Sequence, residues 1–227
     1  MADSVPLFPL NTVIVPGLVL PLHIFEPRYR EMVRTMEVLP EEERQFILAW
    51  IRPGGYPDKH GLMDLFPVGV LAQVREITEY PDGRFDVAVV GKQRAEIVHV
   101  DATRPLLQAR IQLLEDSDPT EGINAIGMVH VDHVVKAFTR YRELLALSTG
   151  NIHAPDDDLP SDPLTLSYLI TAALVVPTEE RARLLAAPSA GLRLTLAYEL
   201  IVRENKVLQA FQALPAMDVE GSRPSPN

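Results

Sequence analysis

The sequence predicts an α+β protein in which a β-rich part, residues 1–118, precedes a helical part, residues 119–214, and a flexible tail, residues 215–227. Proline placement is the first sign. There are twenty prolines in 227 residues, five of them within residues 1–27 and none within 120–154, against a usual share of ~5%. The second sign is a change of period. Short apolar runs bounded by Pro, Gly and Asn fill the first half, and long proline-free runs with apolar residues three and four apart fill the second. The third is composition. With 47% hydrophobic and 23% charged residues, the chain can bury a core, and global disorder is excluded.

Val5–Phe8, Thr12–Val15 and Leu18–Leu22 read as short strands, with prolines that suit edges and bends. Glu26–Met36 reads as a helix: Pro27 fits its first turn, and Tyr29, Met32, Val33 and Met36 share one face. Glu41–Glu43 is a solvated turn and Phe46–Ile51 a buried strand. The segment Arg52–Leu65, with Pro53, Gly54, Gly55, Pro57 and Gly61, is an exposed loop. Phe66–Tyr80 is a long strand bent near Gly69, and Pro81-Asp82-Gly83 turns it into Arg84–Val90. Arg94–Val100 and Leu106–Leu114 add two more strands, and this spacing suggests a barrel or sandwich. Helices follow over Gly122–Leu147, from Asp162-Pro163 to about Val176, from Thr178, and from Ser189 to about Leu214. Ser148–Ser161 is an acidic linker, and Glu199 and Arg203 form an i,i+4 pair.

Charge and cysteine count narrow the chemistry. The formal charge is -10, divided as −6 over residues 1–118 and −4 over 119–227, which disfavours nucleic acid as a partner. No cysteine is present, so disulfides, thiolate nucleophiles and Cys-ligated metals are excluded. Ser4–Phe25 carries no charged residue, but Pro6, Pro9, Pro16 and Pro21 break it. It therefore reads as strands rather than a membrane span, and the expected location is cytoplasmic.

No P-loop, G-x-G-x-x-G, G-x-S-x-G or H-E-x-x-H motif occurs. His130 and His133 flank Asp132 without a third ligand, and Asp156–Asp158 lacks the remaining features of a calcium loop. No cofactor, no metal and no catalytic residue is assigned. A binding surface is the remaining candidate, with Phe25, Glu26, Pro27, Tyr29, Met32 and Met36 beside the 52–65 loop. Met and aromatic side chains make adaptable contact surfaces. The plain alternative is that the same residues are helix-to-sheet core.

Several segments, in order, resemble the N-terminal domain of Lon proteases: Val5-Pro6-Leu7-Phe8-Pro9-Leu10, Val13-Ile14-Val15-Pro16-Gly17, Pro21-Leu22-His23-Ile24-Phe25-Glu26-Pro27-Arg28-Tyr29-Arg30, Val68-Gly69-Val70, Pro81-Asp82-Gly83 and Val90-Gly91-Lys92-Gln93-Arg94-Ala95-Glu96-Ile97. The similarity spans residues 4–214, more loosely in the helical part. It implies a PUA-like β pseudobarrel followed by a helical bundle. It also implies a non-catalytic role in recognising unfolded or exposed polypeptide segments, without the AAA+ ATPase and Ser–Lys peptidase parts. The expected partners are unfolded polypeptides or a dedicated protein partner, with homo-oligomers left open.

The alternative is an RNA-associated PUA-like protein, with Arg75, Arg84, Lys92 and Arg94 as a local basic patch. A third reading is a hydrolase using His23, His60 or His99, for which no complete constellation is visible.

Overall fold

The computed structural model of the chain describes residues 4–53, 64–116, 130–150 and 158–213. Its β part is organised by one long strand. In chain order the strands are β1 (Ser4–Leu10), β2 (Val19–Ile24), β3 (Gln45–Trp50), β4 (Val68–Glu79), β5 (Phe85–Asp101) and β6 (Gln108–Leu113). They are ordered β2-β5-β4-β3-β1-β6, and a further β5–β6 pairing closes β5, β4, β3, β1 and β6 into a ring. β5 achieves this because its 17 residues pair with β4 over Phe85–Glu96, with β2 at the start and with β6 at the end. β1 and β3 are parallel and the remaining pairs antiparallel. The pseudobarrel expected from the sequence is therefore present, with β2 appended to it.

β3 is buried on both faces. Phe46 and Leu48 join a cluster with Val74, Phe85, Val87 and Val89, whereas Ile47 joins Leu7, Leu71, Ala95, Ala109 and Ile111. The first cluster is covered by α1 (Pro27–Glu37), whose φ-restricted Pro27 opens the helix at its first position. Tyr29, Met32, Val33 and Met36 form its buried face, and the Tyr29 ring lies 4.3 Å from that of Phe8.

The helical part comprises α2 (Val131–Ser148), α3 (Pro163–Ala173), α4 (Thr178–Ala186) and α5 (Ala190–Ala213). Asp162 caps α3 by accepting from the Thr165 amide at 2.8 Å. The Ser189 hydroxyl accepts from the Leu192 amide at 3.2 Å and starts α5. Asn205 donates to the Ala137 carbonyl and Gln212 to that of Leu144. The equal spacing on both helices shows that α2 and α5 run side by side in the same direction. A further apolar cluster joins the two parts, with Val13, Val15, Trp50 and Val70 packed on Tyr168, Ala182 and Leu185.

Several boundaries differ from the sequence reading. Thr12–Val15 forms no strand. Val13, Ile14 and Val15 are buried as the chain crosses from β1 to β2, and the crossing ends at Gly17 with φ +84°. The expected break between Val90 and Arg94 is a bulge inside a continuous β5, because Ala72 pairs with Gly91 and Leu71 with Gln93, leaving Lys92 as the extra residue. α4 begins after Pro177 rather than being capped by Thr178. Arg203 does not pair with Glu199. It forks onto Glu180 of α4 at 2.6 and 2.7 Å, a fixed bidentate geometry between helices. The 118/119 boundary, the start expected at Gly122, His60, Asp156, Asp157 and the tail lie outside the described residues.

Gly91 offers a test of the crossing. A Cβ built there would lie 2.6 Å from the Val15 carbonyl oxygen, whereas one at Gly17 meets nothing within 4 Å. Gly91→Ala should cost ~2–3 kcal/mol by overpacking against backbone. Gly17→Ala should cost only ~1–2 kcal/mol, from its positive φ. Urea unfolding of both variants reads the order, and an equal or reversed order refutes it.

Candidate functional site

The bulge at Lys92 sits where the β1–β2 crossing meets the helices. The Gly17 amide donates to the Gly91 carbonyl at 2.9 Å, and the Gly91 amide donates to the Leu18 carbonyl at 3.0 Å. These bonds lay Val15–Leu18 against β5. Opposite them stands α3, which presents Leu164, Thr165, Tyr168, Leu169, Ala172 and Ala173. Between the two walls runs a groove of about 670 Å³, a size typical of ligand sites. Its walls are almost wholly aliphatic, and Lys92 is its one charged lining residue among the described residues. Leu18 and Leu169 expose apolar surface at this groove.

The groove wall is held by a buried ionic cluster. Arg94 of β5 and Arg193 of α5 both donate to one oxygen of Asp116, at 2.9 and 2.6 Å, although the arginine side chains are only 1% and 0% exposed. The other Asp116 oxygen accepts from the Tyr168 hydroxyl. Remaining guanidinium donors reach the carbonyls at the end of α4: Arg94 to Leu185 and Ala187, and Arg193 to Leu184 and Ala187. Arg193 also donates to the Ser167 hydroxyl and lies 4.2 Å from the Tyr168 ring centre. Burial pushes the Tyr168 phenol up to about 12. The Arg193 charge opposes that rise, and the hydrogen bond to Asp116 adds to it.

None of the six residues singled out from the sequence lines this groove. Tyr29, Met32 and Met36 are 4%, 3% and 4% exposed. They hold α1 onto the barrel, because that face is the only one on which the helix can bury its apolar stripe. The surface expectation for these three is thus corrected to core. Phe25 is 61% exposed, Pro27 opens α1, and Glu26 pairs with Arg28 at 2.8 Å.

The basic patch does not assemble either. Arg94 is buried, Arg75 pairs with Glu41, and Arg84 pairs with Asp82. His23 Nδ1 donates to Asp86 at 2.7 Å, and Tyr80 donates to the same carboxylate. Those two hydrogen bonds hold Asp86 below the usual carboxylate range. His99 is exposed on β5. Among the described residues no cluster of three metal-ligating side chains occurs, and no helix is long and apolar enough to cross a membrane.

The sequence signal for the groove was Gly91 itself, since a glycine inside a strand pattern marks a bulge or a close backbone approach.

Comparison with known proteins gives a consistent result. A family model described as the ATP-dependent protease La (LON) substrate-binding domain matches residues 4–203. The Lon protease of Heliobacterium modesticaldum is 26% identical over 213 residues, covering 91% of this chain and 25% of that protein. Lon protease 2 of Herpetosiphon aurantiacus is 29% identical over 214 residues, 91% of this chain and 24% of that protein. The chain therefore spans about a quarter of the length of these curated relatives. Among solved structures, a Lon N-terminal domain protein from Xanthomonas campestris superposes with a TM-score of 0.61 at 19% identity, covering 88% of this chain and 98% of that one. The N-terminal domain of the Mycobacterium avium complex Lon protease gives a TM-score of 0.55 at 17% identity, with 90% and 98% coverage. These two support the fold, an α+β arrangement of barrel and helices.

Two predictions follow from the ionic cluster. Asp116→Asn leaves two buried guanidiniums without a counter-charge and should cost ~3–5 kcal/mol. Arg183→Gln, which removes an exposed pair with Glu179, should leave denaturant stability unchanged. Equal effects refute the cluster's role.

The second prediction concerns pH. The Tyr168 phenol is raised from 10.0 to about 12 in the folded state. Its contribution is therefore complete below pH 10 and lost as pH rises from about 10 to about 12. The stability difference between the wild type and Tyr168→Phe should shrink across that window. A constant difference overturns the assignment.

Proposed function

The chain belongs to the LON substrate-binding domain family, and from that premise we propose that it is a recognition module that holds apolar segments of unfolded polypeptide chains. The reading is carried by one observation, the aliphatic groove between the barrel and α3. Folded proteins keep most large apolar side chains inside, so an open trough with exposed Leu18 and Leu169 discriminates in favour of chains that have lost their core. The matched family domain is a substrate-binding one, and the proposal gives this chain the binding step and no bond cleavage. Recognition would then be non-directional in sequence, governed by apolar area, which suits clients that share only a lack of structure.

The test is a titration of one labelled client in a permanently unfolded and a natively folded form, followed by anisotropy. The unfolded form should bind and the folded form should not. Leu18→Asp combined with Leu169→Asp should weaken binding at least tenfold while the circular dichroism spectrum is unchanged. Phe25→Asp, exposed but outside the groove, should leave affinity as it is. Loss of binding in Phe25→Asp with the double variant silent would move the site to the β2–α1 surface. No selectivity between the two client forms would refute the recognition of unfolded chains.

A further inference from the structure

We infer that the groove is built for the carboxyl-terminal end of a polypeptide, with the last apolar side chains in the aliphatic trough and the terminal carboxylate on Lys92. The inference rests on the reading of the groove as the polypeptide site and adds to it a chemistry and a direction.

Lys92 carries the first argument. It is the extra residue of a β-bulge in β5 and, among the described residues, the one charged side chain that lines the groove. Bulges re-aim a side chain out of the ordinary alternation of a strand. Among the described residues it has neither an ion pair nor a hydrogen bond, although most of the arginines on the β part do. In a chain of net charge -10, a cation set against an apolar trough without a carboxylate partner is a point of charge complementarity for an incoming anion.

The cluster beneath the wall points the same way. Arg94 and Arg193 carry two positive charges against the single charge of Asp116. The carbonyl end of α4, worth about half a charge, offsets the remainder only in part. Tyr168, which lines the groove, has the Arg193 guanidinium 4.2 Å from its ring centre. That charge is buried, so salt screens it weakly, and it raises the local potential toward anions. The first turn of α3 does not compete for the ligand's carboxylate, because Asp162 already accepts from both the amide and the hydroxyl of Thr165.

Volume selects the end of a chain over its middle. About 670 Å³ is the space of a drug-sized ligand, and so of a few residues. An internal segment must enter and leave such a trough, whereas a terminus enters once and brings its own carboxylate. Capture of that group by a positioned cation is a known mode of peptide recognition.

The experiment uses the full chain and an N-terminally labelled apolar pentapeptide in three forms: free acid, C-terminal amide, and the same sequence extended by three serines. The free acid should bind about fivefold more tightly than either other form. Lys92→Gln should remove that preference by weakening the acid alone, and Leu169→Asp should weaken all three. Equal affinities of acid and amide, with Leu169→Asp still harmful, overturn the carboxylate inference and leave the groove as the polypeptide site. Failure of all three to bind removes both. Dodecanoate displacing the acid peptide at lower concentration than the unlabelled peptide itself would make the occupant a fatty acid and refute the polypeptide terminus.

Discussion

Two guanidiniums on one carboxylate join the halves of this molecule. Arg94 arrives from the barrel, Arg193 from α5, and Asp116 from the chain just past β6. Burying three such charges costs several kcal/mol per ion before any attraction is counted. The structure offsets that cost by geometry. Asp116 accepts from both arginines and from Tyr168, and the guanidiniums spread their other donors over the last carbonyls of α4. Those carbonyls are the acceptors a helix leaves unpaired at its end, and they carry partial negative charge. Only the Arg94 Nε is left without a partner in the cluster. Apolar packing of Trp50, Val15 and Val70 on Leu185 and Ala182 would hold the two parts near one another. The directional bonds fix which carbonyl meets which strand, so the angle between the two parts follows from the cluster.

The groove is a consequence of that joint. One short stretch of β5 does three things in sequence. Gly91 lets the Val15 carbonyl approach to a distance no Cβ would tolerate, Lys92 bulges toward the trough, and Arg94 reaches the helices. Since the period of a strand is two, Gly91 and Gln93 would ordinarily share a face and Lys92 would take the other. The bulge breaks that alternation, so Lys92 reaches the groove while Arg94 is carried into the seam. Tyr168 belongs to both structures, with its hydroxyl on Asp116 and its ring at the groove. A loss in the cluster would therefore reach the groove through a rigid side chain and not through a mobile loop.

Local chemistry was legible in the sequence wherever one residue decides its own surroundings. Pro27 at the start of α1, Asp162 before Pro163, Ser189 before α5 and the Pro81-Asp82-Gly83 turn each act within three or four residues, and the structure has them in those roles. The features that were not legible depend on contacts between distant segments. Nothing near Arg94 announces that its acceptors are residues 116, 185 and 187. Arg203 lies one helical turn from Glu199, yet its bidentate partner Glu180 sits 23 positions away. Apolar side chains on a helical face look alike whether they meet a partner or a barrel, and Tyr29, Met32 and Met36 meet a barrel. Gly91-Lys92 was seen as a break because a bulge and a turn share the same glycine signal, and only pairing on both sides of β5 distinguishes them.

Closure of the barrel decides how a bound chain can be held. An extended peptide adds most readily to a free sheet edge, and the ring of β5, β4, β3, β1 and β6 leaves only short stretches free, such as Glu76–Glu79 of β4 beyond its pairing with β3. Among the described strands β2 bonds only to β5 and so has one side unpaired along its whole length. That edge is poorly suited to receiving another strand. Leu18 gives its carbonyl to Gly91, so by the two-residue alternation Leu20, Leu22 and Ile24 face β5, and Val19, Pro21 and His23 turn their backbone groups outward. Pro21, in the middle of the outward row, has no N–H to offer, a common way of blunting an edge. An added strand would find donors only at Val19 and His23, two ends with a gap between them. Side-chain burial in the groove carries no such penalty, because its aliphatic walls ask for no backbone partners. Pro21, one of the prolines that marked the first part of the chain as β-rich, thus fits the proposed use of the trough beside α3 rather than the β2 edge.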